Sequence, residues 1–120
     1  MERQPWQRSR NECIANGGDL AFHGFDSIGS RIQIAEKLGL YDIEVNCCFY
    51  IGIHRIDDVW TYVDGTPAYE EEIYWKPGYP ISTAGYDCAV MKVLLDNDDD
   101  LLTYNFYCSS YWYGICEFEC

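Results

Sequence analysis

Seven cysteines fall within 120 residues: Cys13, Cys47, Cys48, Cys88, Cys108, Cys116 and Cys120. They include no C-x-x-C pair, and no H-x(3–5)-H stands near them, so zinc and thioredoxin-like readings lack their ligand spacing. Such a density suits an oxidising compartment, where bridges supplement a small core. A long-range bridge adds about 3–4 kcal/mol by restricting the unfolded chain. The odd total leaves at least one thiol free or paired outside the chain. The opening, Met1-Glu2-Arg3-Gln4-Pro5, is not a secretory signal, and residues 15–22 are too polar for an h-region. The expectation is a piece of a longer secreted protein, or of the extracellular part of a membrane protein, with the signal peptide not present in this chain. A reduced cytosolic protein is the bland alternative.

The length suits one domain. Lys and Arg number 8 against 20 Asp and Glu, a net charge of −12, so phosphate backbones and anionic membrane surfaces are repelled and nucleic acid is excluded as a partner. Apolar residues at 48%, with 4 Trp and 11 Tyr, supply a core and exclude disorder. No stretch approaches the roughly 18 apolar residues that span a bilayer, so direct membrane insertion of this segment is not expected.

Local patterning places helices early and strands late. Pro5 suits the first helical position. Trp6, Ser9, Arg10 and Cys13 follow at helical spacing until Gly17-Gly18 stops the helix. A second helix is capped by Asp26 or Ser27, lined by Ile28, Ile32, Ala35 and Leu38, and closed by Gly39; the stripe reads as core packing. Residues 49–53 form a β-branched and aromatic run, hence a buried strand. Asp57-Asp58 turns into a second strand over 59–63, ended by Asp64-Gly65-Thr66-Pro67. Residues 68–87 hold Pro77, Gly78, Pro80 and Gly85 without periodicity, which predicts a long loop. Its Trp75 and its tyrosines argue for order. Strands follow over 88–95, 101–108 and 111–117, with an acidic turn at 96–100.

Four stretches stand in order. Trp6-x-x-Ser9-x-x-x-Cys13 precedes Gly17-Gly18-Asp19-Leu20-Ala21, and Tyr50-Ile51-Gly52-Ile53 comes second. Trp60-Thr61-Tyr62-Val63-Asp64-Gly65-Thr66-Pro67 leads to Tyr74-Trp75-x-Pro77-Gly78. Asp87-Cys88-Ala89-Val90-Met91 leads to Cys108 and to Ile115-Cys116-Glu117. In this order and spacing they resemble the C-type lectin-like domain over about residues 6–117, with the second stretch in the family's W-I-G-L slot. The resemblance implies an α+β fold, two helices packed on a small antiparallel sheet with a long irregular loop. It also implies bridges from Cys13 to Cys116 and from Cys88 to Cys108, a choice composition alone does not make among on the order of a hundred pairings. Cys47, Cys48 and Cys120 remain as free or extra cysteines. Neighbours on an extended segment point opposite ways, so Cys47 and Cys48 are not expected to bridge each other. Either one of them reaches Cys120, or all three serve neighbouring chains in a disulfide-linked oligomer. The family's first strand, which precedes the helix and pairs with the last strand, has no counterpart. Residues 1–120 thus read as a single domain lacking that strand, with the last strand, over 113–118, exposing an edge that an upstream segment or a partner covers.

Sugar-binding members of the family hold Ca²⁺ in a cage of about 6–8 oxygens. The resemblance places that cage at an E-P-N or Q-P-D tripeptide, a Glu before the next cysteine, and an N-D pair before the one after. These slots hold Tyr79-Pro80-Ile81, Tyr86 and Tyr104-Asn105. Only Asn105 keeps a usable oxygen, and phenol and isobutyl groups do not replace carboxylates, so Ca²⁺ at the family's sugar site is not expected. Pro80 is kept, and the resemblance implies a cis bond before it. The acidic turn at 96–100 lacks the Gly and distal Glu of an EF-hand and reads as solvated, as does Glu70-Glu71-Glu72.

Aromatics stand where the cage would be: Tyr69, Tyr74, Tyr79, Tyr86, Tyr104, Tyr107, Tyr111 and Trp112 fall in or near the loop and its strands. Tyrosine offers contact area, a polar tip and few rotors, which favours interfaces, although half or more can be core. Trp60 and Trp75 are assigned to the core. His23 and His54 are the only histidines, and no G-x-S-x-G elbow, H-E-x-x-H helix or phosphate loop is present, so no catalytic residues are expected. The expected function is extracellular, non-catalytic recognition of a protein ligand through Tyr79, Pro80, Ile81, Tyr86, Tyr104 and Asn105. A lectin using aromatic stacking or an atypical metal site, and a structural module assembling through the extra cysteines, are the alternatives.

Overall fold

The computed structural model describes residues 3–42, 48–93 and 100–118; Cys47, Cys120 and residues 96–99 of the acidic turn lie outside them. Helix α1 spans Trp6–Ala15 and turns Trp6, Ser9 and Cys13 inward. Pro5 is its N-cap, not its first helical residue: its ψ of 157° keeps it extended, and its carbonyl accepts the Ser9 N–H at 3.0 Å. The chain reverses through Gly17, at φ 94°, into strand β1, Gly18–Leu20.

Helix α2 spans Ile28–Leu38; Ser27 caps it by accepting the Ser30 N–H at 3.1 Å, and Gly39 closes it at φ 66°. Its inward face differs from the apolar stripe. Ile32 is 40% and Leu38 50% exposed, while Arg31 and Ala35 are fully buried. The reason is polar: the Arg31 guanidinium donates to the carbonyls of Phe25 (2.8 Å), Leu101 (2.7 Å) and Ile73 (2.6 Å) and to the Thr103 hydroxyl (2.9 Å). It lies over the rings of Phe25 and Tyr74. Burial pulls its pKa down to about 10, against the opposing fields of Tyr74, Tyr62 and Asp26, and it stays charged at neutral pH.

After a 3-10 turn at Leu40–Asp42 come β2 (Cys48–Ile56), β3 (Val59–Tyr62), a single helical turn α3 (Glu70–Ile73), β4 (Cys88–Lys92), β5 (Thr103–Phe106), β6 (Tyr113–Gly114) and β7 (Cys116–Phe118). The central sheet runs β3-β2-β4-β5, antiparallel throughout, and β6 adds a short parallel pairing to β2. The sheet is buried on both faces, which explains the unbroken apolar runs of β2 and β4. Phe49, Ile51, Ile53, Ala89 and Met91 meet Phe25, Ala35, Ile73 and Leu101 on one face. Tyr50, Cys88, Val90 and Tyr104 meet Trp6, Cys13 and Leu20 of the α1–β1 unit on the other. Trp60 and Trp75 pack edge to face at 4.9 Å and are half-buried against the first cluster.

The predicted final strand is two pieces. Tyr113–Gly114 pairs with β2, and Cys116–Phe118 pairs with β1 in the register Gly18↔Phe118, Leu20↔Cys116. Residues 116–118 are thus paired along one edge, in a two-stranded sheet with β1, and Gln4 forms a further antiparallel bridge to Trp112. Gly52 joins the two sheets: its N–H donates to Ala21 and its carbonyl accepts from Val63. A Cβ there would stand 2.5 Å from the Leu20 carbonyl oxygen, so the W-I-G-L slot requires glycine for close approach.

Cys13 is bonded to Cys116, tying α1 to β7, and Cys88 to Cys108, tying β4 to the turn after β5. Cys48 is also disulfide-bonded, so it is not a free thiol.

Candidate functional site

The residues that precede β4 arch back over β5. The segment enters from α3 through a parallel bridge between Trp75 and Thr103, and the Lys76 N–H donates to the Thr103 carbonyl at 3.0 Å. The Tyr79-Pro80 bond is cis. The sequence slots assigned to the family's calcium cage do come together here, but their chemistry is internal. Asn105 is fully buried. Its Oδ1 accepts the Ile81 N–H at 2.8 Å, and its Nδ2 donates to the carbonyls of Ile81 (2.8 Å) and Tyr86 (2.9 Å). The one side-chain oxygen expected to remain usable is thus committed to holding the loop. Asn105 is a strut between β5 and residues 81–86.

Around that strut runs a strip of rings in two contact groups. Tyr79 meets Tyr104 edge-on at 4.7 Å; Tyr86 meets Tyr107 at 4.4 Å and Phe106 at 5.9 Å; Phe106 meets Trp112 at 6.0 Å. Exposure sorts the predicted aromatics. Tyr104 is core at 3% exposed; Tyr74, Tyr79, Tyr86 and Trp112 are half-buried; Tyr69, Tyr107 and Tyr111 are exposed, the last two at 45% and 60%. Pro80 is exposed and Ile81 half-buried. Tyr50 supports the strip from beneath. Its hydroxyl faces the carbonyls of Ser110 (2.5 Å) and Tyr107 (3.2 Å), and burial pushes its pKa far up, so it is a neutral donor to the 107–110 turn.

Two cations belong to the strip that sequence reading missed. The Lys92 ammonium sits 4.0 Å above the Tyr104 ring centroid and 5.7 Å from that of Phe106. Lys76 stands 5.7 Å from the Tyr79 ring and 5.9 Å from that of Tyr104. Burial, and then the field of Lys76, hold Lys92 below the usual lysine range. The signal was present in the register: Val90 pairs with Tyr104 and Cys88 with Phe106, so Lys92 shares their face.

Carboxylates gather elsewhere. A concavity of about 490 Å³ lined by Asp19, Phe22, His23, Asp64, Glu117 and Phe118 contains none of the predicted ligand residues. Its acids are committed. Asp19 pairs with Arg10 at 3.0 Å, and Glu117 accepts from the Phe22 N–H and meets His23 Nδ1, both at 2.9 Å. Asp64 accepts from the hydroxyl and N–H of Thr66, which hold its pKa down. Among the described residues no three His, Cys, Asp or Glu side chains are grouped to hold a metal ion. His54 stacks on Trp6 at 4.4 Å. No helix among them is long and apolar enough to cross a membrane.

These features define a class: disulfide-braced α+β domains that carry a long loop over a doubly buried sheet. The lectin C-type domain model matches residues 2–118, and the chain belongs to that family. Its fold is shared with human lithostathine, at TM-score 0.78 and 16% identity over 99% of this chain and 87% of that one. The carbohydrate-recognition domain of the mouse scavenger receptor C-type lectin superposes at TM-score 0.73 and 21% identity, over 100% and 86%. A calcium-independent type II antifreeze protein does so at 0.72 and 21%, over 96% and 78%. No curated protein matches the chain. C-type lectin-like domains are generally non-catalytic recognition modules that bind glycans or proteins and are typically extracellular.

Proposed function

We propose that this is an extracellular recognition domain that binds a protein ligand through the tyrosine-rich loop surface, without the family's calcium-dependent sugar site and without catalysis. One observation carries the reading. The slots that would supply oxygen ligands hold Tyr79, Ile81, Tyr86 and Tyr104, and their single amide is spent on the loop backbone. Tyr79, Tyr86, Tyr107 and Tyr111 combine contact area with polar tips at little rotamer cost, which suits a protein interface. That one fold-relative is a calcium-independent antifreeze protein supports the view that the scaffold works without the ion.

The test uses the tetramerised domain against a panel of secreted and cell-surface proteins, with and without chelator. Binding that survives chelator and is lost in the Tyr107→Ala/Tyr111→Ala variant is expected. Both tyrosines are exposed, so the variant should fold. A stoichiometric, micromolar calcium response in tryptophan fluorescence, or chelator-sensitive binding on a glycan array, would refute the proposal.

A further inference from the structure

Of the eight cationic side chains, Arg10 and Arg55 are in ion pairs with Asp19 and Asp87, and Arg31 is buried in carbonyls. Lys76 and Lys92 are different. They converge on one ring, Tyr104, from the loop and from β4, and among the described residues neither is in an ion pair. Two ammonium groups sharing a ring repel each other, and the field of Lys76 adds to burial in lowering the Lys92 pKa. A chain with 20 carboxylates has no shortage of counter-ions, yet this pair is set against an aromatic wall instead. The ring faces stabilise each cation far less than a close anion in a partly dry site would.

We propose that Lys76 and Lys92 form an anion subsite that grips neighbouring carboxylates of an acidic segment in the protein ligand, while the adjoining rings of Tyr79, Phe106 and Tyr86 seat that segment's apolar side chains. This rests on the protein-recognition reading above and names the chemistry of the partner. A free carboxylate placed between the ammonium groups relieves their repulsion, and the aromatic strip excludes water on one side. The chain's overall charge repels acidic partners at long range. Salt of about 0.1 M, with a screening length of about 10 Å, suppresses that field while leaving contact pairs intact.

The experiment follows the lysine side-chain resonances of the labelled domain by NMR at that salt. The probe is a blocked peptide alternating glutamate with leucine and tyrosine, and its controls are the same peptide with glutamine for glutamate and a heparin-derived tetrasaccharide. Saturable shifts of both Lys76 and Lys92 are expected with the acidic peptide. The glutamine analogue should bind at least tenfold more weakly, and the Lys76→Gln/Lys92→Gln variant should lose the response. Lysine signals unmoved by the acidic peptide, or moved equally by its analogue, overturn the inference. So does a response to the sulfated saccharide alone, which would assign the pair to an acidic glycan. The two levels separate cleanly. If the lysine variant keeps full panel binding while Tyr107→Ala/Tyr111→Ala loses it, the subsite fails and the recognition surface stands. If the tyrosine variant keeps full binding, the surface itself fails.

Discussion

Replacing Asn105 by leucine keeps the side-chain shape and deletes every polar atom. Three groups are stranded: the Ile81 N–H, the Ile81 carbonyl and the Tyr86 carbonyl, now bonded at 2.8, 2.8 and 2.9 Å. A buried group left without its partner costs about 1–3 kcal/mol. Ile81 and Tyr86 are half-buried, so part of that loss is recovered by water, and the low end applies three times, giving about 3 kcal/mol. For a domain of this size that is a fall of roughly 12 °C in Tm at about 4 °C per kcal/mol. Urea unfolding followed by tryptophan fluorescence measures the first quantity. Chymotryptic cleavage after Tyr86 measures loosening of the loop, and both should rise together. Asn105→Asp makes a sharper control, since its carboxylate still accepts the Ile81 N–H but faces two carbonyls that have lost their donors. Its defect should shrink when acid protonates it. A loss below about 1 kcal/mol with unchanged cleavage would refute the strut assignment.

The remaining predictions concern the scaffold. Arg31→Met strands the Phe25 and Leu101 carbonyls, whereas Ile73 keeps the Thr103 hydroxyl; a loss of about 2–4 kcal/mol by denaturant titration is expected, and a neutral result would contradict the polar role of α2. Gly52→Ala drives a methyl against the Leu20 carbonyl and should cost at least about 2 kcal/mol, read by the same assay. Burial, helped by Arg10, holds the His54 imidazole below its ordinary 6.5, so the fold favours the neutral ring. Its contribution is complete above about pH 6.5 and is lost as pH falls through the folded value, so Tm should drop on acidification in that window and His54→Gln should flatten the slope.

Much of this molecule was written in local pattern. The doubly buried strands showed themselves as unbroken apolar runs because residues on either face of β2 and β4 meet a core. The end of α2 showed itself because Gly39 adopts φ 66°, where other residues are strained. The residues at the slots that the resemblance assigns to a cage, Tyr79, Ile81 and Tyr86, could be read off because metal chemistry depends on residue type at fixed spacing. Other features were not legible. The buried face of α2 was misassigned because a hydrophobic stripe counts arginine as solvent-facing, whereas the nearby Phe25 carbonyl and the distant Leu101 and Ile73 carbonyls make the interior the place for Arg31. The final strand was read as one piece because alternation does not record a change of partner at Ile115.

What the sequence determined alone was the list of side chains available at the loop, since chemistry absent from the chain cannot be supplied by folding. Only the tertiary structure decided what those side chains do. Whether an amide is a ligand or a strut, and whether two lysines stand apart or over one ring, depends on contacts between residues far apart in the chain, and no local pattern encodes those distances.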